Sequence, residues 1–145
     1  MSRAMAPRLL FFATIALLMF AELWFSNLGS YRNNLEGTAA LMGLTVVAER
    51  NRLVILIVLD AIAGGGALVA GIACLFNHIV LRRIGTMLTT IGLVSYGIYQ
   101  LIAAVTQLPL ELRSTIALIG LIYIGIGCVA WIVGMRPTPD THPAQ

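Results

Sequence analysis

Four stretches of this sequence run for twenty or more residues with at most one charged side chain apiece: residues 9–28, 53–76, 84–107 and 115–135. A helix rises 1.5 Å per residue, so each is long enough to cross the ~30 Å hydrocarbon core of a bilayer. Lipid offers no partner to a bare peptide group, so a spanning segment must close its own backbone hydrogen bonds, and runs of this length do so as helices. Composition agrees. Of 145 residues, 59% are hydrophobic and 10% charged, with a mean hydropathy of +0.94, whereas a water-soluble domain carries about a quarter charged residues. Soluble globular, disordered, collagen-like and disulfide-framework classes are thereby excluded. The expected fold is all-α: an integral membrane four-helix bundle forming one domain over residues 1–136. Both termini lie on the same side, and a polar, proline-rich tail at 137–145 cannot continue a helix.

The connections differ in length. Those after the second and third runs are short turns, at Arg82-Arg83 and at Leu108-Pro109-Leu110. The first is long. Its opening part, GSYRNNLEG at 29–37, reads as turn, and the apolar stretch at 38–48 (TAALMGLTVVA) is too short to span. A short apolar helix at the interface, lying over the mouth of the bundle, is expected there. The competing reading extends the second helix outward. The first run has basic residues ahead of it, as a signal peptide would, but the small-x-small pattern at Met19-Phe20-Ala21 is poor, and a retained helix is expected.

All nine basic residues are arginine. They flank the apolar runs singly or in pairs, as interfacial anchors do, and nucleic acid is not an expected partner. With the N terminus inside, Arg3, Arg8, Arg82, Arg83 and Arg136 are cytoplasmic, against Arg32, Arg50, Arg52 and Arg113 outside. The positive-inside rule then favours both termini in the cytoplasm, in a bacterial cytoplasmic membrane.

Helical periodicity orders the small residues into stripes. Asp60, Gly64, Ala67, Gly71 and Cys74 recur at steps of four and three on the second helix, and Gly120, Tyr123, Gly127, Ala130 and Gly134 do so on the fourth. The third carries Gly85, Thr89, Gly92, Tyr96, Tyr99 and Ala103. Small side chains let helices approach closely in lipid, so Gly64, Ala67, Gly71, Gly92, Gly120, Gly127 and Gly134 are expected at helix contacts. Gly64-Gly65-Gly66 lies mid-membrane without the lysine and hydroxyl of a phosphate loop, and is read as packing.

Two carboxylates fall inside apolar runs. An ionisable group at the bilayer centre costs roughly 2.5–3.5 kcal/mol on insertion scales, so Glu22 and Asp60 ask for a partner or a task. Counting from the helix ends places Glu22 ~9 Å and Asp60 ~10 Å below the same surface. Gln100 and Tyr123 fall at similar depth, so each helix contributes to one polar layer. Asp60 lies on a small-residue stripe and so faces a neighbouring helix. Glu22 shares its face with Leu18 and Ser26 and can point inward or at a partner subunit. No arginine falls inside a run to neutralise either acid, and hydrocarbon favours the protonated acid or a pair sharing one proton. The candidate proton site is Glu22, Asp60, Tyr96, Tyr99, Gln100 and Tyr123.

Other chemistries find no residues. His78 at an interface and His142 in the tail do not make a membrane haem site, and the sequence holds no H-x-x-H, E-x-x-H or C-x-x-C. Ser26, Ser95 and Ser114 lack a base at identifiable spacing. An intramembrane enzyme acting on lipid or quinone would have only the polar layer beneath it. The expectation is a non-catalytic structural or accessory subunit within a larger respiratory, photosynthetic or transport assembly. The alternative is a small homo-oligomeric proton- or cation-coupled transporter using Glu22 and Asp60. No cofactor or metal is expected; the expected partners are other integral membrane subunits and lipids.

Overall fold

The computed structural model describes residues 5–137. Arg3, the tail from 138 onward and His142 within it lie outside the described residues. Helix α1 runs Met5–Asn33, α2 Leu35–Met42, α3 Val46–Leu75, α4 Ile79–Thr106 and α5 Leu110–Met135. The four long helices are each apolar enough to cross a membrane, and they pack together as a bundle. The protein is a multi-pass membrane protein. Its bundle is a curved row: α1 packs along α3, α3 along α4 and α4 along α5, while α1 touches α5 at few points.

Every long helix outruns its apolar stretch, because backbone hydrogen bonding continues past the hydrocarbon boundary where polar side chains are tolerated. The segment 29–37 is accordingly not a turn. Helix α1 carries on to Asn33, and the break is the single residue Asn34, with φ −149° and ψ 38°. The 38–48 segment divides. Its first part belongs to α2, which stops at Gly43 in the left-handed region (φ 65°). There the Leu44 N–H donates back to the Ala39 carbonyl at 2.9 Å. Thr45 then caps α3, its hydroxyl accepting from the Ala48 N–H at 3.2 Å. Residues 46–48 thus extend the second spanning helix outward, and α2 is the short element over the bundle mouth. Met42 and Leu44 pack there against buried Ala104, Leu108 and Ile116.

The expected small residues Gly64, Ala67, Gly71, Gly92, Gly120, Gly127 and Gly134 are all buried. Gly64 and Gly71 face α1, at Met19 and at Leu9 and Phe12. A second small face on α3, through Ala63, Gly66 and Ala70, meets Gly92 and Gly85 of α4. A methyl group on Gly92 would lie 2.6 Å from the Ala63 nitrogen, so only hydrogen fits at that crossing. On the other side of α4, Gly97 meets Gly120, and Thr86 sits against Gly134. Helix α3 is therefore packed through two faces, whereas α1 and α5 each turn a broad apolar side outward.

Candidate functional site

The inward polar groups gather where α1 departs from α-helical winding. Residues Glu22–Leu28 form a π-helical segment, whose hydrogen bonds reach five residues back instead of four. In an α-helix residues five apart point about 140° from one another; in the wider π turn they come close to the same side. Glu22 and Asn27 therefore both face the bundle, while Trp24, Phe25 and Ser26 between them are exposed.

The Glu22 carboxylate is held by two phenols. The Tyr96 hydroxyl of α4 donates to Oε1 at 2.6 Å, and the Tyr123 hydroxyl of α5 donates to Oε2. The two rings are stacked with centroids 4.3 Å apart, which carries both hydroxyls to one carboxylate. One turn along α4, Gln100 Nε2 donates to the Tyr96 hydroxyl at 3.3 Å. Asp60 of α3 is fully buried and its Oδ2 accepts from Asn27 Nδ2 at 2.6 Å. The two acids are close enough for the charge of Glu22 to bear on Asp60. All of these donors are neutral, so they orient the carboxylates without cancelling charge.

Two acceptors are left over. Asp60 Oδ1 and Gln100 Oε1 are buried and have no hydrogen-bond partner, an arrangement rare enough in folded proteins to call for an explanation. A cavity of about 160 Å³ opens beside Gln100, lined also by Glu22, Asn27, Arg52 and Tyr96 among others, while Asp60 lies outside its lining. The lining sets these polar groups among Met42, Leu56, Ile116 and Ile119, and the cavity is large enough for water or a small cation.

The structure brings Glu22, Tyr96, Gln100 and Tyr123 into one hydrogen-bonded network, with Asp60 joined to the same stretch of α1 through Asn27. Tyr99 is not part of it. It is half-buried on another face of α4, where the charges that reach it are those of Arg52 and Glu49. Three residues beyond the sequence-based set belong to the site. Asn27 is brought inward by the π segment, which hydropathy does not signal. Glu49 and Arg52, the latter expected as an interfacial anchor, lie inside α3 and are buried as a bidentate pair, at 2.7 and 2.8 Å. Arg52 also lines the cavity, so a cation does stand near the acids, already engaged by Glu49. Running the α3 stripe back from Asp60 through Leu56 and Leu53 by helical steps reaches Glu49, and that signal was present in the sequence.

Among the described residues, no group of three or more histidine, cysteine or acidic side chains could hold a metal ion. Compared with known protein families, characterised proteins and solved structures, the chain matches none.

Proposed function

We propose that the polar layer binds a proton or a small cation, and that the chain works as a small, homo-oligomeric, proton- or cation-coupled membrane carrier. The observation that supports this most is a cavity lined by Glu22 and by Gln100, whose buried Oε1 has no partner, with the unpartnered Oδ1 of Asp60 in the same polar layer. A proton or cation supplies what those oxygens lack. Ionised Glu22 accepts from both phenols. Once protonated, one of its oxygens becomes a donor, so the phenol on that oxygen accepts instead and turns its own proton to another partner. That exchange is the coupling step the reading requires. With five arginines against four by the positive-inside count, the site opens toward the non-cytoplasmic side.

Proteoliposomes containing only this chain, with a pH-sensitive dye inside, test the carrier reading. Flux driven by an imposed gradient, abolished by Asp60→Asn in protein that still folds, is expected. Absence of flux above empty liposomes, or flux unchanged in both Asp60→Asn and Glu22→Gln, would overturn it.

A second reading, a non-catalytic accessory subunit of a larger membrane assembly, is favoured by the outer side of α1. Leu10, Leu17, Trp24 and Phe25 are all more than half exposed there, a surface suited to another transmembrane helix. Mild detergent extraction followed by native mass measurement separates the two. Stable association with other integral membrane subunits supports the accessory reading, and a homo-oligomer supports the carrier.

A further inference from the structure

Among the described residues, the opposite end of the bundle holds charge of one sign only. Arg8, Arg82, Arg83 and Arg136 lie there, at the start of α1, the start of α4 and the end of α5. Every carboxylate among the described residues lies in the other half of the bundle: Glu22, Glu36, Glu49, Asp60 and Glu111. The one ion pair among them, Glu49–Arg52, is there too.

Arg82, expected in a short basic turn, lies in the first turns of α4 and is not an interfacial anchor in water. It is 2% exposed, with Nη1 donating to the Met5 sulfur at 3.7 Å and its buried Nε without a partner. A thioether is a weak acceptor and carries no charge. Arg8 is close enough for its charge to bear on Arg82. Its Nη2 donates to the Pro137 carbonyl at 3.2 Å, and its buried Nη1 has no partner. Two neighbouring guanidinium groups thus each keep a buried N–H donor without an acceptor. Such donors are stable in a low-dielectric site only opposite an anion, and the planar fork suits phosphate oxygens.

An apolar groove begins at Pro7, the chain neighbour of Arg8. It runs between α1 and α5, lined by Pro7, Leu10, Phe11, Thr14, Leu18 and Ile126 among others, with a volume of about 460 Å³. From residue 7 to residue 18 it covers about 16 Å along the helix, close to the depth of one leaflet's hydrocarbon. It exists because α1 and α5 scarcely meet.

We propose that Arg8 and Arg82 bind the phosphate of an anionic phospholipid whose acyl chain lies in the groove between α1 and α5. The charge at the mouth selects an anionic headgroup. The groove, which a free anion would not use, selects a lipid. The bound lipid completes the row of helices where α1 and α5 leave it open.

Native mass spectrometry of the full-length protein in detergent tests this, with phosphatidylglycerol, phosphatidylcholine or inorganic phosphate added. One phosphatidylglycerol per chain is expected to bind at concentrations where phosphatidylcholine does not. Arg8→Gln, at a half-buried position that tolerates the change, should weaken it about tenfold or more, since a charged hydrogen bond is lost. Arg82→Gln should weaken it as well, while Arg32→Gln at the other end should leave it unchanged. Thr14→Trp, which fills the groove, should weaken phosphatidylglycerol without altering the Arg8 or Arg82 environment.

Equal binding of the two lipids, or no effect of Arg8→Gln, overturns the proposal. Inorganic phosphate displacing phosphatidylglycerol, with Thr14→Trp silent, would make it a free-anion site and overturn the lipid. Asp140→Asn should change nothing; a gain in lipid affinity would show that the chain's own carboxylate occupies the site.

Discussion

Half-buried Glu22 sits between two phenols and buried Glu49 against a guanidinium, and the two acids answer differently to substitution. In Tyr96→Phe the carboxylate keeps its Tyr123 donor, and Gln100 loses an acceptor. Hydrogen bonds between membrane helices are worth about 0.6 kcal/mol on average and seldom above about 1.7. Tyr96→Phe should therefore destabilise the protein by about 0.5–2 kcal/mol. The loss should shrink in a Glu22→Gln background, as a double-mutant cycle on unfolding in mixed micelles would measure. Glu49→Gln is the harsher change. It leaves the 5% exposed Arg52 without its bidentate partner, and stranding one half of a buried pair costs about 3–5 kcal/mol. Glu36→Gln, at an exposed position of α2, should be neutral in the same assay. At this scale the sequence was partly legible: Glu22 and Asp60 stand out because an acid in a lipid-soluble run is costly wherever it points. Asn27 and Arg52 do not stand out, because their burial depends on the direction of a side chain and not on its chemistry.

At the scale of the helix, the π segment of α1 and the close crossings of α3 with α4 make separate predictions. A π segment holds one residue more than an α-helix of equal turn number. Removing Phe25, which is 81% exposed, should let the stretch relax to an α-helix that still presents Glu22 and the asparagine to the bundle. Removing Leu17, 71% exposed but within regular α-helix, rotates everything after it by about 100° relative to what precedes it. Folded yield and circular dichroism in detergent should be near native for the first deletion and poor for the second. For the crossing, Gly92→Ala forces its methyl group against the Ala63 backbone and should cost about 1–3 kcal/mol as overpacking. Gly65→Ala meets nothing within 4 Å and should be neutral or stabilising by up to about 1 kcal/mol, through helix propensity alone. Thermal unfolding of the two variants side by side checks this. The stripe running through Asp60, Gly64 and Gly71 marked one packed face of α3. The second face, through Ala63, Gly66 and Ala70, follows the same periodicity but becomes visible as an interface only once α4 lies against it.

Across the whole molecule, the curved row of helices gives the inner pair, α3 and α4, neighbours on two sides and leaves α1 and α5 with one long contact each. Burial follows: 44% of the most apolar window is buried in each of α3 and α4, and 22% in each of α1 and α5. Hydrogen exchange on the detergent-solubilised protein should accordingly be slowest in the middles of α3 and α4. Opening should begin at α1 and α5, since local stability tracks buried apolar contact. The two ends of the row also differ in charge. Among the described residues, one end holds the acids, the Glu49–Arg52 pair and the cavity, and the other gathers arginines without acids.

Hydropathy and run length, read from the sequence alone, determined that this chain crosses a membrane four times as helices. They could do so because an unpaired backbone group in hydrocarbon is costly for every residue, so the constraint is local and needs no neighbours. The same reasoning placed Glu22, Asp60, Gln100 and Tyr123 at one depth, since depth is a count of residues along a helix. Which side chains meet was decided by the tertiary structure. A π segment in α1 turned Asn27 to Asp60, α3 continued outward and took Glu49 and Arg52 into the bundle, and packing at the far end buried Arg82. Each depends on the rotation of one helix against another, an angle that accumulates along the chain and is settled only by what the helix packs against.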